Sequence, residues 1–491
     1  MPTSDGGSLR HSAVRGVKWT TLSTAVVTVV GLVQLAILTR LLTKTDFGLM
    51  SMIATVVGFA QVYADVGFSN AIIYRQDATP RQLSSLYWMN IIVSVLLGAL
   101  VALAAPLIAA FFKEPSLVQP LRLICLSFAI VPLGQQFQML LQRELEFDLL
   151  ARRDIAASLA GLAVAVSTAA AGQGVYALVW GQLTTAAVRS FTTAAVGWRR
   201  WRPSLRLRRR DLDGFLSFGL YQLGERSIYY WAANIDYLLI GRYLGPEQLG
   251  VYTVAYNLVV MPVSKLNPVL AKVAFPVFAK RQADAEAIRR GFGELVELVA
   301  FVTFPLLVGL GVTASIAVPV LFGTEWQPAV VLVQIMVAMG MAMCLSNPLG
   351  SVLLAKGRAD VGFWLNVAVT AVTIPALWAV VHRGTQAVSW THTAVDLVFF
   401  IVELLLVRQV IGMPVGRYLR RLARPSAATA TMGAAVALAM LLTGSLADPA
   451  ELVILVAAGV VVYLLTWLVM ARDYVLGLMR LLVRRAPEGV S

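Results

Sequence analysis

One apolar run of this chain carries polar groups that an ordinary membrane helix would not keep. Between residues 215 and 240 stand Gln222, Glu225, Arg226, Tyr229, Tyr230, Asn234, Asp236 and Tyr237. Glu225 and Asp236 are eleven apart, about three helical turns plus roughly 20°, so both carboxylates share a face. Arg226, Tyr230, Asn234 and Tyr237 form an adjacent stripe. An ionised side chain at the middle of a spanning helix costs about 2.5–3.5 kcal/mol, so such a face is expected to line a wet cavity. The competing reading is a Glu225/Arg226 set neutralised by neighbouring helices. The following run adds Tyr252, Tyr256 and Asn257, then Lys265 and Lys272 on one face. Lys272 is equally placed to snorkel to a surface. The candidate binding set is therefore Gln222, Arg226, Tyr229, Tyr230, Asn234, Tyr256, Lys265 and Lys272. Asp65, Glu225 and Asp236 are the candidates for carrying a coupling charge. Gln61 and Asp65 share a face earlier in the chain, and Asp396 and Glu403 share one later, either as a relay or as packing.

Other chemistry finds no support. His11, His382 and His392 are scattered, and Cys125 and Cys344 both fall in apolar runs, so no metal, disulfide or cofactor site is expected. The 491 residues are 58% hydrophobic and 13% charged, a membrane composition. A net charge of +14 could suggest nucleic acid. The charge sits in loops that flank apolar runs, however, where orientation and anionic lipid explain it, and no nucleic-acid partner is expected. The densest basic stretch, Trp198 to Arg210, reads as a topological anchor or, alternatively, as a patch attracting lipid headgroups or pyrophosphate. The N-terminal residues lead directly into a full-length apolar run with no cleavable signal peptide expected.

The elements that must position these groups are fourteen apolar runs of about 20 residues, each long enough to cross a bilayer. They begin near Val17, Phe47, Ser85, Leu117, Ile155, Val175, Phe215, Leu249, Phe292, Ala329, Val361, Ala387, Ser426 and Leu452. Thirty of the forty basic residues fall in every second gap and at the two ends; the alternate gaps hold five. Basic loops stay in the cytoplasm, which places both termini there. An internal repeat is visible as well. Ile37-Leu38-Thr39-Arg40-Leu41-Leu42 and Leu239-Ile240-Gly241-Arg242-Tyr243-Leu244 align at an offset of 202, followed by Phe47-Gly48 and Leu249-Gly250. Ala110-Phe111-Phe112 and Val320-Leu321-Phe322 give a second echo. The expected domains are a lobe over 1–200, a basic linker over 201–213, a second lobe over 214–410, a helix pair over 425–472 and a tail over 473–491. Six spans per lobe make the repeats parallel, an architecture that favours a transporter with its site between the lobes.

The residues also carry a family resemblance. Asp236-Tyr-Leu-Leu-Ile-Gly-Arg-Tyr-Leu-Gly245, Leu249-Gly250-Val-Tyr252, Ala255-Tyr256, Pro262 and Phe275-Pro276 resemble bacterial polysaccharide flippases. So do Ala64-Asp65-Val-Gly67-Phe-Ser-Asn-Ala71, Gln142-Arg143-Glu-Leu-Glu-Phe147 and the Phe322-Gly323, Glu325-Trp326, Pro328 loop. These form the polysaccharide-transporter branch of the multidrug/oligosaccharidyl-lipid/polysaccharide exporter superfamily. Similarity is greatest to exporters of the colanic acid and succinoglycan type. The resemblance implies an all-α polytopic fold, V-shaped, with two six-helix lobes around a central cavity and two terminal helices. It implies a non-enzymatic flippase in the bacterial inner membrane. Its substrate would be an oligosaccharide on undecaprenyl pyrophosphate, moved by alternating access for exopolysaccharide, capsule or lipopolysaccharide synthesis. Polysaccharide polymerase or export machinery enters as a further partner. Arg226 and Lys265, then Lys272, match the cationic positions that such cavities use for pyrophosphate. A cation-coupled multidrug exporter of the same superfamily is the nearest alternative, and a membrane polymerase or ligase a more distant one.

Overall fold

A computed structural model describes residues 6–64, 79–205, 207–208, 216–280, 284–443 and 448–483. The side chains of 6–15, 17, 216–226, 228–229, 265–277, 279–280, 359 and 472–483 among these lie outside the described residues. The described chain is helical, with short 3-10 turns, and divides into two compact units, residues 1–253 and 254–491.

The first unit holds α1 (Gly6–Leu41), α2 (Lys44–Ala64), α3 (Pro80–Phe112), α4 (Val118–Ile124), α5 (Ser127–Arg143), α6 (Phe147–Ala170) and α7 (Val175–Gly197). It also takes the opening part of α8 (Leu216–Lys280). The second holds the rest of α8, then α9 (Ala285–Phe322), α10 (Pro328–Ala355), α11 (Ala359–Val380), α12 (Thr385–Ile411), α13 (Val415–Thr443) and α14 (Asp448–Val483). The boundary between the two units falls within α8, so the seventh apolar run lies in the first unit. Among the described residues nine helical stretches are long and apolar enough to cross a membrane. The other five apolar runs are also helical, on α6, α7, both parts of α8, and α12. The chain is a multi-pass membrane protein. The run expected as one span from Leu117 to Leu141 is interrupted at Cys125 and Leu126, between α4 and α5.

Local sequence explains the close approaches. Ala157, Gly161, Ala165 and Ala169 make a buried small-residue stripe on α6. A methyl group on Gly161 would meet Thr185 Oγ1 at 1.9 Å, and one on Gly181 would meet the Ala165 methyl at 2.7 Å. Without a hydrophobic drive between helices in lipid, such backbone proximity is how packing is gained. Thr79 and Gln82 form a capping box at the start of α3. After α7, Arg200 donates to Glu144 at 2.6 Å and to Glu146 at 2.7 Å, fastening the α5–α6 turn. The hydrogen bonds it donates to Glu146, then to Glu144, raise the Arg200 pKa above its ordinary value. Trp201 packs on Phe137 and Tyr87. At least this part of the basic stretch is therefore anchored to the fold.

The helix α8 is two helices joined at Gly245, where φ 83° and ψ 177° suit glycine alone. The Tyr252 hydroxyl donates to Asp236 Oδ2 at 2.7 Å. Sixteen residues of straight helix would span about 24 Å, so the chain doubles back here. The repeat offset of 202 reappears as paired contacts within the first unit. A methyl on Gly48 would lie 1.7 Å from the Pro246 carbonyl oxygen; one on Gly250 would lie 2.0 Å from the Lys44 carbonyl oxygen. Thr253 Oγ1 donates to Ser51 Oγ at 2.8 Å. Residues 44, 48 and 51 are the repeat mates of 246, 250 and 253, so the contact is reciprocal, as across a two-fold axis.

The second unit is a packed core. Phe292, Val296 and Phe304 of α9 meet Leu345 and Val352 of α10, Val407 of α12 and Tyr418 of α13. The α14 helix seats Tyr463 and Trp467 beside Phe301, with the Tyr463 hydroxyl donating to the Phe301 carbonyl at 2.7 Å.

Candidate functional site

Most of the expected site lies outside the described residues: Asp65, and the side chains of Gln222, Glu225, Arg226, Tyr229, Lys265 and Lys272. The described members also make structural contacts that their spacing did not reveal. The Tyr230 hydroxyl donates to the Thr55 carbonyl on α2 at 3.1 Å and fits over Gly58. Asn234 donates to the Tyr230 carbonyl at 2.9 Å, one turn back on its own helix. Asp236 is 1% exposed; besides Tyr252 it accepts from the Tyr237 amide at 2.9 Å. Its carboxylate thus braces the α8 hairpin. In the second unit Tyr256 stacks on His392, with ring centroids 6.5 Å apart.

The polar space that the structure does contain is in the first unit. A cavity of about 550 Å³ lies among α1, α2, α5 and α7. Gln34, Gln61, Gln135, Gln138 and Gln182 line it, with Ser127, Thr185, Arg189, Ser190 and Thr193. Along α7 the lining runs from Leu178 to Thr193. Fifteen residues of helix is about 22 Å, most of a hydrocarbon core of about 30 Å. Gln61, Gln182 and Arg189 are exposed. Amides and a guanidinium exposed inside a spanning bundle belong beside water or a polar ligand, since hydrocarbon satisfies neither.

Packing creates this lining. Gly134 of α5 comes so near Ser190 of α7 that an added methyl would lie 2.6 Å from the Ser190 backbone. That approach brings Gln135 and Gln138 to Gln182 and Arg189. The floor is a charge cluster. Arg153 of α6 donates to Gln138 Oε1 and Thr193 Oγ1, both at 2.9 Å, and to Asp154 at 2.8 Å. Asp154 also pairs with Arg189 at 3.3 Å. The Arg153 side chain is 9% exposed and that of Arg189 is 44% exposed, so one cation is locked and the other stands at the cavity wall. Such a wall can hydrogen-bond many hydroxyls through amides, each with two donors and an acceptor, and meet one anion through Arg189. Among the described residues no cluster of His, Cys, Asp or Glu could hold a metal.

Sequence reading singled out Gln61 but made nothing of Gln135, Gln138, Gln182 or Arg189. The available signals were a glutamine pair three apart in one apolar run and an arginine inside another.

Comparison with known proteins agrees with this architecture. Residues 37–331 match the family model described as "Polysaccharide biosynthesis protein". The teichuronic acid biosynthesis protein TuaB of Bacillus subtilis is 37% identical, over 93% of this chain and 95% of that one. The lipopolysaccharide biosynthesis protein WzxC of Escherichia coli is 32% identical, over 90% of each. Among solved structures, a lipid II flippase MurJ in an inward closed conformation superposes with TM-score 0.75 at 12% identity, over 94% of this chain and 100% of that one. At that identity the likeness is one of fold.

Proposed function

This chain belongs to the polysaccharide biosynthesis protein family, and from that premise we propose that it is a flippase for lipid-linked oligosaccharide. The observation that carries the reading is the amide-lined cavity that runs along most of α7 with Arg189 on its wall. A family that serves polysaccharide synthesis, built as a multi-pass membrane protein, meets its substrate where a hydrophilic glycan must cross hydrocarbon. Sugar hydroxyls lose water in that passage, and each lost hydrogen bond is costly unless the path replaces it. Glutamine side chains replace both donors and acceptors, and their length tolerates varied sugars.

The carrier is an undecaprenyl pyrophosphate, with Arg226 and Lys265, then Lys272, on its phosphates. Two cations suit a diphosphate, which pays heavily to leave water unpaired. Gln222, Tyr229, Tyr230, Asn234 and Tyr256 complete the binding set, and Asp65, Glu225 or Asp236 carries any coupling ion. The membrane is the bacterial inner membrane, with both termini cytoplasmic. Alternating access between two lobes moves the head while the tail stays in lipid.

The test uses purified full-length protein in vesicles that contain a polyprenyl-pyrophosphate oligosaccharide. An impermeant glycosidase added outside cleaves only the outer leaflet's glycan. With the protein present, cleavage should rise from one leaflet's share to nearly all. Persistent protection of the inner pool at every protein density refutes the reading. Arg226→Ala and Lys265→Ala are each expected to stop translocation at unchanged protein abundance. Wild-type rates in both would remove these two from the binding set.

A further inference from the structure

The first unit carries a second concavity of opposite character. A groove of about 620 Å³ lies between α2, α3 and the opening part of α8. Its walls are apolar, with Val56, Leu107, Phe111, Trp231 and Leu238 among them, and Arg242 stands at one end. Leu107 is 75% exposed and Trp231 42% exposed, so the groove opens onto the apolar outer face of the helices. From Trp231 to Arg242 is eleven residues, about 16 Å of helix, or about half of a 30 Å hydrocarbon core. The groove is thus one leaflet deep.

Arg242 sits where that leaflet should end. The α3 helix stops at Phe112, and α8 turns at Gly245, three residues beyond Arg242. The guanidinium lies over the Phe111 ring, 5.5 Å from its centroid. Its Nη1 is sealed from solvent and has no hydrogen-bond partner among the described residues. A guanidinium at the head of an apolar groove is incomplete without an anion, and phosphate oxygens match its forked donors.

We propose that this groove binds one acyl chain of an anionic bilayer phospholipid, with Arg242 on the phosphodiester. The single cation chooses the head. A phosphodiester with an uncharged alcohol, as in phosphatidylglycerol, brings one negative charge. A zwitterionic head would place an ammonium beside Arg242, and a pyrophosphate would bring more charge than one arginine balances. The site is separate from the amide-lined cavity and stands whether or not that cavity carries a glycan.

Native mass spectrometry of the detergent-purified full chain, titrated with phosphatidylglycerol or phosphatidylcholine, tests the assignment. Wild-type protein should retain phosphatidylglycerol preferentially. Arg242→Gln should weaken phosphatidylglycerol binding about tenfold and erase the preference, as expected for losing a charge-assisted bond. Leu107→Trp, at an outward-facing position, fills the groove without touching the arginine, and should reduce retention of both lipids. Equal retention of the two lipids by wild type overturns the proposal. So does unchanged phosphatidylglycerol affinity in both variants. Displacement of phosphatidylglycerol by a lower concentration of polyprenyl phosphate would assign the groove to a carrier lipid and overturn it as well.

Discussion

Each unit holds an arginine–carboxylate pair with one partner buried, yet they use it differently. In the second unit Arg421 of α13 donates to Glu297 of α9 at 2.9 Å, where the Glu297 side chain is 3% exposed. Apolar packing surrounds that pair. In the first unit Arg153, Asp154 and Arg189 form a chain of charge beside a cavity of about 550 Å³. The same residue types thus act as a strut in one unit and as a wall in the other. What separates them is the surroundings of the carboxylate and its cation: Glu297 is 3% exposed and holds Arg421 against apolar packing, whereas Arg189, paired with the 30% exposed Asp154, lines a polar cavity where it can meet a ligand. Intramembrane charge by itself does not mark a site.

The strut offers the largest effect. Arg421→Ala would leave the Glu297 carboxylate buried without its cation, which should destabilise the full chain by about 3 kcal/mol. Thermal unfolding in detergent measures this. Replacing both residues by leucine should restore much of the loss, because the stranded charge is then gone. Translocation per folded molecule should stay near wild type in the double variant. An unchanged melting temperature in Arg421→Ala would mean that the pair bears no load, and the contrast between the units would lose one side.

The wall is probed by its two arginines. Arg189→Gln should slow translocation about tenfold, the order expected for a charge-assisted hydrogen bond to substrate, with little change in melting. Arg153→Gln should do the reverse in part: it removes bonds to Gln138, Thr193 and Asp154, so melting falls first. If both variants only lower melting, the cavity wall is a second strut.

These distinctions were unequally legible beforehand. The all-helical membrane fold follows from run length and hydropathy, which are local. The repeat was readable because Arg40 and Arg242, with Gly48 and Gly250, recur at one offset. Its physical meaning, each glycine admitting the other segment's carbonyl, needed coordinates. The cavity was hidden for a different reason. Gln138 and Arg189 lie on separate runs, and tertiary approaches such as Gly134–Ser190 place their helices together. Asp236 shows the same limit: helical spacing places it on the face of Glu225, and the turn at Gly245 adds Tyr252 as a partner. A helical wheel describes one helix and is blind to a chain that folds back on itself.

The smallest effect discriminates most finely. Gln182 is exposed on the cavity wall, and among the described residues no hydrogen bond engages its side chain. Gln138 lines the same cavity but accepts from the buried Arg153 at 2.9 Å. Gln182→Leu should therefore leave melting unchanged and weaken apparent substrate affinity about two- to tenfold, the range for one neutral hydrogen bond. Gln138→Leu should lower both, because the arginine beneath it loses an acceptor. Glycan-dependent translocation in vesicles reads the affinity; unfolding in detergent reads the stability. If Gln182→Leu leaves affinity unchanged at several glycan lengths, the amides fill space without touching sugar. The wall would then owe its polarity to water alone, and Arg189 would be its only binding group.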